Sequence, residues 1–158
     1  SSAVAAKRFL RVKIMLNDFV GALAGRSLGV SVAHEDGRVL VQNQSTVLDE
    51  WGEAEIALRC DGNPKDVRVK VGHWLSSVLR GVEWGVGMFE AAVTLRNGDV
   101  DEDNSVTVFD YAAFSDAFDS SPGDVRWNPN ADLDGDGAVT VFDYEILNRN
   151  FDQVGEEL

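Results

Sequence analysis

The sequence predicts an α+β protein: an N-terminal antiparallel β-sandwich over residues 1–96, followed by a small helical doublet over residues 97–158. Three observations point there. Short runs of alternating apolar and polar residues recur about every ten positions through residues 7–95, with Gly, Pro, Asn and Asp between them. Residues 99–118 are then written a second time as residues 132–151, at a constant offset of 33 and without a gap. Each copy passes from acids at alternating positions into an apolar run with helical spacing.

In order along the chain, Leu10, Val12, Ile14 and Leu16 alternate with Arg11, Lys13 and Met15, the pattern of a half-buried strand over residues 7–16. Leu28, Val30 and Val32 alternate again, and Asp36-Gly37 signals a hairpin into Val39, Leu40 and Val41. Trp51-Gly52 turns the chain into residues 53–59, with Ala54, Ile56 and Leu58 on one face and Glu53, Glu55 and Ala57 on the other. Asp61-Gly62-Asn63-Pro64 breaks the chain before Val67, Val69 and Val71 alternate with Arg68 and Lys70. Further short strands are expected at residues 75–78, 82–86 and 91–95. Such regular spacing suggests a sandwich. Only Arg96-Asn97-Gly98 separates Leu95 from Asp99, too little for a free linker, so the two parts should form a fixed pair.

The repeated segment reads DVDEDNSVTVFDYAAFSDAF and then DLDGDGAVTVFDYEILNRNF. Calcium is a hard cation that takes six to eight oxygens, so it needs several carboxylates gathered by a tightly curled backbone. In the first copy Asp99, Asp101 and Asp103 fill loop positions one, three and five. Ser105 offers its carbonyl at seven, Thr107 a hydroxyl or bridging water at nine, and Asp110 a carboxylate at twelve. In the second copy these roles fall to Asp132, Asp134, Asp136, Ala138, Thr140 and Asp143. Position six needs a sharp turn, which Gly137 makes freely and Asn104 tolerates next best. Solvated acidic turns are the plainer alternative. Two copies in one register, each with an acid at twelve, argue instead for two bound calcium ions.

The doubled loop-helix unit resembles a dockerin module, the calcium-binding domain at the ends of secreted polysaccharide-degrading enzymes and other extracellular proteins. The residues that carry the likeness are Asn97-Gly98-Asp99-Val100-Asp101-Glu102-Asp103 and Asn130-Ala131-Asp132-Leu133-Asp134-Gly135-Asp136-Gly137. Shared features are the incomplete EF-hand without an entering helix, Asp rather than Glu at position twelve, and the near twofold repeat. The resemblance covers about residues 97–153. It implies that Val106 and Val139 join the two loops by a short β-bridge. It also implies that Val108-Phe109 and Val141-Phe142, with Ser115-Asp116 and Asn148-Arg149, recognise a cohesin partner. One class of the family carries small hydroxyl residues at the first of these positions and basic pairs at the later ones. This chain departs from both. Either the partner is of another type, or the apolar pairs dock on the chain's own sandwich. Most of Phe109, Tyr111, Phe114 and Phe118, with their counterparts Phe142, Tyr144, Leu147 and Phe151, are expected to pack between the helices. By analogy, the N-terminal part looks like the small immunoglobulin-like modules that often precede dockerins.

Composition narrows the function classes. A hydrophobic content of 44% supports a packed core, and a net charge of −13 disfavours nucleic acid or anionic membrane as partners. Cys60 is the single cysteine, so no intrachain disulfide forms, and no apolar run is long enough for membrane insertion. The start at Ser1-Ser2-Ala3-Val4 has no Met and reads as a cut from a larger secreted protein. No catalytic residue is assigned. His34 and His73 stand without a nucleophile motif, and Glu53 and Glu55 read as a solvated strand edge. Gly81, Gly85 and Gly87 lack the Lys-Ser/Thr of a phosphate loop. His73 reads as a partly buried strand residue, Cys60 as core, and Trp127 as packing. Trp51, Trp74 and Trp84 would support a carbohydrate-binding accessory module only as an exposed row. The expectation is therefore a non-catalytic, calcium-binding, extracellular module that attaches its parent to a cohesin-type partner or cell-surface scaffold. The alternative is a structural cap packed on its own sandwich.

Overall fold

The computed structural model describes residues 6–60, 63–85 and 87–158. Asp61 and Gly62 of the expected chain break, Val86 of the run at 82–86, and the start at Ser1-Ser2-Ala3-Val4 lie outside the described residues. The elements are β1 (Ala6–Leu16), β2 (Ser27–His34), β3 (Val39–Val47), β4 (Glu53–Cys60), β5 (Pro64–Val71), β6 (Ser77–Leu79), β7 (Met88–Leu95), α1 (Val108–Ala117) and α2 (Val141–Arg149).

Two sheets face each other, one ordered β4-β1-β7 and the other β3-β2-β5-β6. Period-two alternation puts Leu10, Val12 and Ile14 of β1, Ile56 and Leu58 of β4, and Val93 and Leu95 of β7 on one inner face. They meet Leu28, Val30 and Val32 of β2 and Val67, Val69 and Val71 of β5. Cys60 is buried in this core. On the outer face Arg11 bridges strands by pairing with Glu55 at 2.9 Å and Glu90 at 3.4 Å.

Three details differ from the expectation. The sandwich is not wholly antiparallel: β7 runs parallel to β1, with Leu16 opposite Leu95. Alternation fixes which face a residue occupies but not the direction of its neighbour. Residues 82–85 are not a strand. Gly81 and Gly85 adopt φ of 67° and 52°, and the segment fills the end of the core as a loop. Its Val82 N–H donates to Lys65 O at 2.9 Å, and Trp84 Nε1 donates to Pro64 O at 2.7 Å. Strand β3 continues to Val47 through polar residues that suit an edge, with Asn43 at φ 49° bonded to Ser31 Oγ.

Trp74 and Trp84 are both buried, leaving Trp51 exposed, so the sandwich has no exposed tryptophan row and the carbohydrate reading is withdrawn. His73 is buried beyond the end of β5, stacked on Trp74 at 3.8 Å. A second core lies under the helices: Val100, Val106, Phe114, Ala117, Ala131, Leu133, Val139, Ile146 and Leu147. Leu75, expected in a sandwich strand, joins this second core instead. Trp127 packs against it. No helix among the described residues is long and apolar enough to cross a membrane.

The parallel return of β7 positions everything that follows. It delivers Asn97 beside Asn17 at the end of β1, where Asn97 Nδ2 donates to Asn17 O at 3.2 Å and to Leu133 O at 2.7 Å. His73 Nδ1 donates to Asn97 Oδ1 at 2.7 Å. Burial lowers the His73 pKa to about 4, so the ring is neutral at ordinary pH.

Candidate metal centre and the exposed helix face

Each acidic loop is held by five backbone N–H donors, and the two loops use them in the same way. Asp99 Oδ2 accepts from Asn104 N at 3.0 Å, and Asp132 Oδ2 from Gly137 N at 2.9 Å. Asp110 accepts from Asp101 N and Thr107 N at 3.1 and 2.7 Å, and Asp143 from Asp134 N and Thr140 N at 3.0 and 2.8 Å. Asp101 and Asp103 accept from Asp103 N and Ser105 N, as Asp134 and Asp136 do from Asp136 N and Ala138 N. The backbone thereby turns four carboxylates inward in each loop.

Asp99, Asp101, Asp103 and Asp110 each bring an oxygen within 4.8 Å of the others, and so do Asp132, Asp134, Asp136 and Asp143. Asp99 Oδ1 and Asp132 Oδ1 are buried and have no hydrogen-bond partner. A buried, unpartnered carboxylate oxygen is costly unless a cation takes it. Both donor sets, all oxygen and four carboxylates each, therefore suit a hard divalent cation. Without one, burial pushes Asp132 up to about 6 and Asp143 up to about 7; the Asp134 carboxylate adds to both, while the Asp134 N–H opposes the rise at Asp143. Burial likewise raises Asp101 to about 6, and it raises Asp99 against the opposing pull of Lys70.

Thr107 and Thr140, read from sequence only as position nine, also start the helices. Their hydroxyls accept from Phe109 N at 3.2 Å and Phe142 N at 3.3 Å, and Asp110 and Asp143 close capping boxes. The T-x-x-D spacing is a readable sign of this second role.

Val106 and Val139 do not bridge each other. Val106 exchanges hydrogen bonds with Asp152 N at 2.8 Å and Gln153 O at 2.9 Å, while Val139 does so with Asp119 N at 2.9 Å and Ser120 O at 3.0 Å. Each valine thus pairs with the segment leaving the other copy's helix, related by the 33-residue repeat. The loops are cross-tied through helix exits.

The helices do not pack as fully as expected. Phe114 and Leu147 are buried, but Val108, Phe109, Tyr111 and Phe118, with Val141, Phe142 and Phe151, are exposed. Phe109 keeps 68% of its surface accessible and Phe142 61%. Tyr111 and Tyr144 meet edge to face at 6.0 Å between the helices, and a groove lies on each side of them. Phe114, Ser115, Phe118 and Val141 line one groove; Leu147, Asn148, Phe151 and Val108 line the other. The two sets are repeat equivalents. Ser115, Asp116, Asn148 and Arg149 are all exposed, but Arg149 also turns toward the sandwich and pairs with Asp18 at 3.3 Å.

The doublet does touch its own sandwich, through the loops rather than the apolar helix starts. Val20 N donates to Asp134 O at 2.8 Å. The Phe19 ring lies so close to Gly135 that a Cβ there would sit 2.2 Å from it. Around the first loop, Gly98 N and Asp99 N donate to His73 O at 3.2 and 2.9 Å, and Lys70 Nζ meets Asp99 Oδ2 at 2.9 Å. Asn104 explains its place at position six, where Gly is usual. At φ 70° its side chain accepts from Ser76 N at 2.8 Å and donates to Ser76 Oγ at 2.7 Å and Glu157 at 2.6 Å. The chain end then lies across this joint, with Glu156 N on Ser76 O at 3.1 Å and Glu157 paired with Arg68 at 3.0 Å.

A tandem pair of acidic loop-helix units behind a β-sandwich is the class of protein these features define. Residues 97–152 match the dockerin type I domain family, so the chain carries a dockerin-like module preceded by a β-sandwich. Among solved structures the chain is similar to a C-terminal interface mutant of the type II cohesin–X-dockerin complex from Acetivibrio cellulolyticus. The identity is 20% and the TM-score 0.71, over 94% of this chain and 97% of that one. An N-terminal interface mutant of the same complex gives 21% identity, a TM-score of 0.69 and the same coverage. At such identities the likeness is one of fold. Among curated proteins none matches.

Proposed function

We propose that the chain is a non-catalytic, extracellular attachment module whose helix pair docks on a cohesin-type partner and whose loops hold two calcium ions. The division falls at residue 97, with the sandwich before it and the dockerin-like module after it. Asp99, Asp101, Asp103 and Asp110 would hold one ion, with the Ser105 carbonyl and Thr107. Asp132, Asp134, Asp136 and Asp143 would hold the other, with the Ala138 carbonyl and Thr140. Bound calcium supplies the positive charge that four crowded carboxylates lack. The loops then fix the starts of both helices through Asp110 and Asp143.

The observation that carries the attachment reading is the exposure of Val108, Phe109, Tyr111, Val141 and Phe142 at the starts of the two helices. Large exposed apolar residues repeated at both helix starts, with Ser115 and Asn148 lining the grooves beside Val141 and Val108, mark an interaction surface. The cap alternative needs those residues covered by the sandwich, which instead meets the loops. The test is calorimetric binding to a panel of type I and type II cohesins, in calcium and in EDTA. Binding that requires calcium and is lost in the doubly substituted Phe109→Asp, Phe142→Asp chain supports the reading. A cohesin bound equally well by that variant overturns the assigned face, and no binding to either type overturns the cohesin-type partner.

A further inference from the structure

We infer that Lys70 makes the two loops unequal calcium sites: its ammonium, seated on the outer oxygen of Asp99, weakens the first site so that the second fills first. The inference rests on the calcium reading above and adds a residue from the sandwich to the site.

The repeat supplies an internal comparison. At position one, both loops turn one carboxylate oxygen inward without a partner, Asp99 Oδ1 and Asp132 Oδ1. Both bind the outer oxygen to the position-six N–H, at 3.0 and 2.9 Å. There the equivalence ends. Asp99 Oδ2 also takes Lys70 Nζ at 2.9 Å, from a lysine side chain 16% exposed onto an aspartate that is fully buried. Asp132 forms no ion pair among the described residues. The cation in its field, Arg26, lies over the Phe19 ring at 4.2 Å and donates its Nε to Ala22 O at 2.9 Å.

Lys70 is anchored for this role. It lies on β5 opposite Gly29 of β2 and also donates to Gly72 O, so its head is fixed between a turn carbonyl and the loop. Two effects then act in one direction. Held beside a position-one ligand, the ammonium repels a dication arriving on the inner oxygen, and shielding from water keeps that repulsion strong. It also neutralises Asp99 in the metal-free chain, which leaves calcium less repulsion to relieve in the first loop than in the second. The first loop consequently stays docked to the sandwich at low calcium, while the second depends more fully on its ion.

The experiment is a calcium titration of the whole chain, chelator-stripped and followed by calorimetry against a competing chromophoric chelator. Asp103→Ala and Asp136→Ala, both at exposed positions, assign the steps to the first and second loops. Expected are two steps whose affinities differ by about tenfold or more, the tighter one lost in Asp136→Ala. Lys70→Gln should tighten the weaker step by about tenfold or more and leave the other within about twofold. Lys70→Arg, which keeps the charge, should retain the wild-type pattern and guards against a mere packing effect. Equal affinities in the wild type, a first site that Lys70→Gln weakens, or the same response to Gln and Arg would each overturn the inference while leaving calcium binding intact. A wild-type chain that binds no calcium overturns the reading beneath it instead.

Discussion

Gly135→Ala tests the contact between the sandwich and the second loop. Gly135 sits at loop position four with φ 72°, and an added Cβ would lie 2.2 Å from Phe19 Cε1 and 2.8 Å from two more ring atoms. The left-handed conformation costs a non-glycine residue about 1–2 kcal/mol. The repeat shows that this cost is bearable, since Glu102 occupies the same position of the first loop at φ 61°. The larger effect is therefore displacement of Phe19. Its ring meets Trp74 edge to face at 5.0 Å and lies under the Arg26 guanidinium at 4.2 Å, contacts worth about 1–2 kcal/mol together. Gly135→Ala should cost about 2–4 kcal/mol in urea denaturation of the calcium-loaded chain. In a Phe19→Ala background the same change should cost only the backbone part, about 1–2 kcal/mol. Strict additivity of the two substitutions, or a Gly135→Ala cost no greater than about 0.5 kcal/mol, would refute the reasoning.

Two further outcomes follow from the carboxylate cages. Calcium at a hundredfold excess over Kd should add about 2.7 kcal/mol per site, or roughly 5–10 °C in Tm for a chain of this size, so a melting curve unmoved by EDTA would contradict the ligand sets. In the metal-free chain, folding raises Asp101 and Asp132 to about 6 and Asp143 to about 7 from an ordinary 3.8. The folded state then holds more protons than the unfolded one between these values. Metal-free stability should fall as pH rises from about 4 to about 7 and level off above. A metal-free Tm that climbs from pH 5 to 7 would show that these carboxylates are not crowded as described.

The strands with clean alternation, β1, β2, β4, β5 and β7, were legible because burying one face of a pleated strand imposes period two. The acidic loops were legible because their acids recur at the same spacing 33 residues apart, and the fold gathers them into two clusters of four carboxylates. What stayed hidden depends on tertiary neighbours. Val82 and Trp84 alternate like a strand, yet two positive-φ glycines keep their segment a loop, and Trp84 finds its hydrogen-bond partner at Pro64, the distant start of β5. The direction of β7 leaves no trace in its own residues. Tyr111, Phe118 and Phe151 carry the spacing of buried helix positions, but the doublet is small, and Phe114, Ile146, Leu147 and Ala117 already fill its core. Lys70 is an ordinary strand lysine in sequence. Only the fold brings it to Asp99.

The places where the two copies differ, and the places where they do not, sort by what surrounds them. Within the loops, Gly135 against Glu102 admits Phe19, and Asn104 against Gly137 reaches Ser76 and Glu157. Both departures face the sandwich, which lies to one side of the doublet and cannot meet both copies alike. The helix starts, by contrast, are letter for letter the same: Val106-Thr107-Val108-Phe109-Asp110-Tyr111 and Val139-Thr140-Val141-Phe142-Asp143-Tyr144. Core burial accounts for the valines at 106 and 139, and capping for the threonines and aspartates. Neither core burial nor capping accounts for Val108, Phe109, Val141 and Phe142, whose side chains are mostly exposed at a cost to solubility. Apolar residues kept twice and left exposed are what the proposed docking on a partner requires.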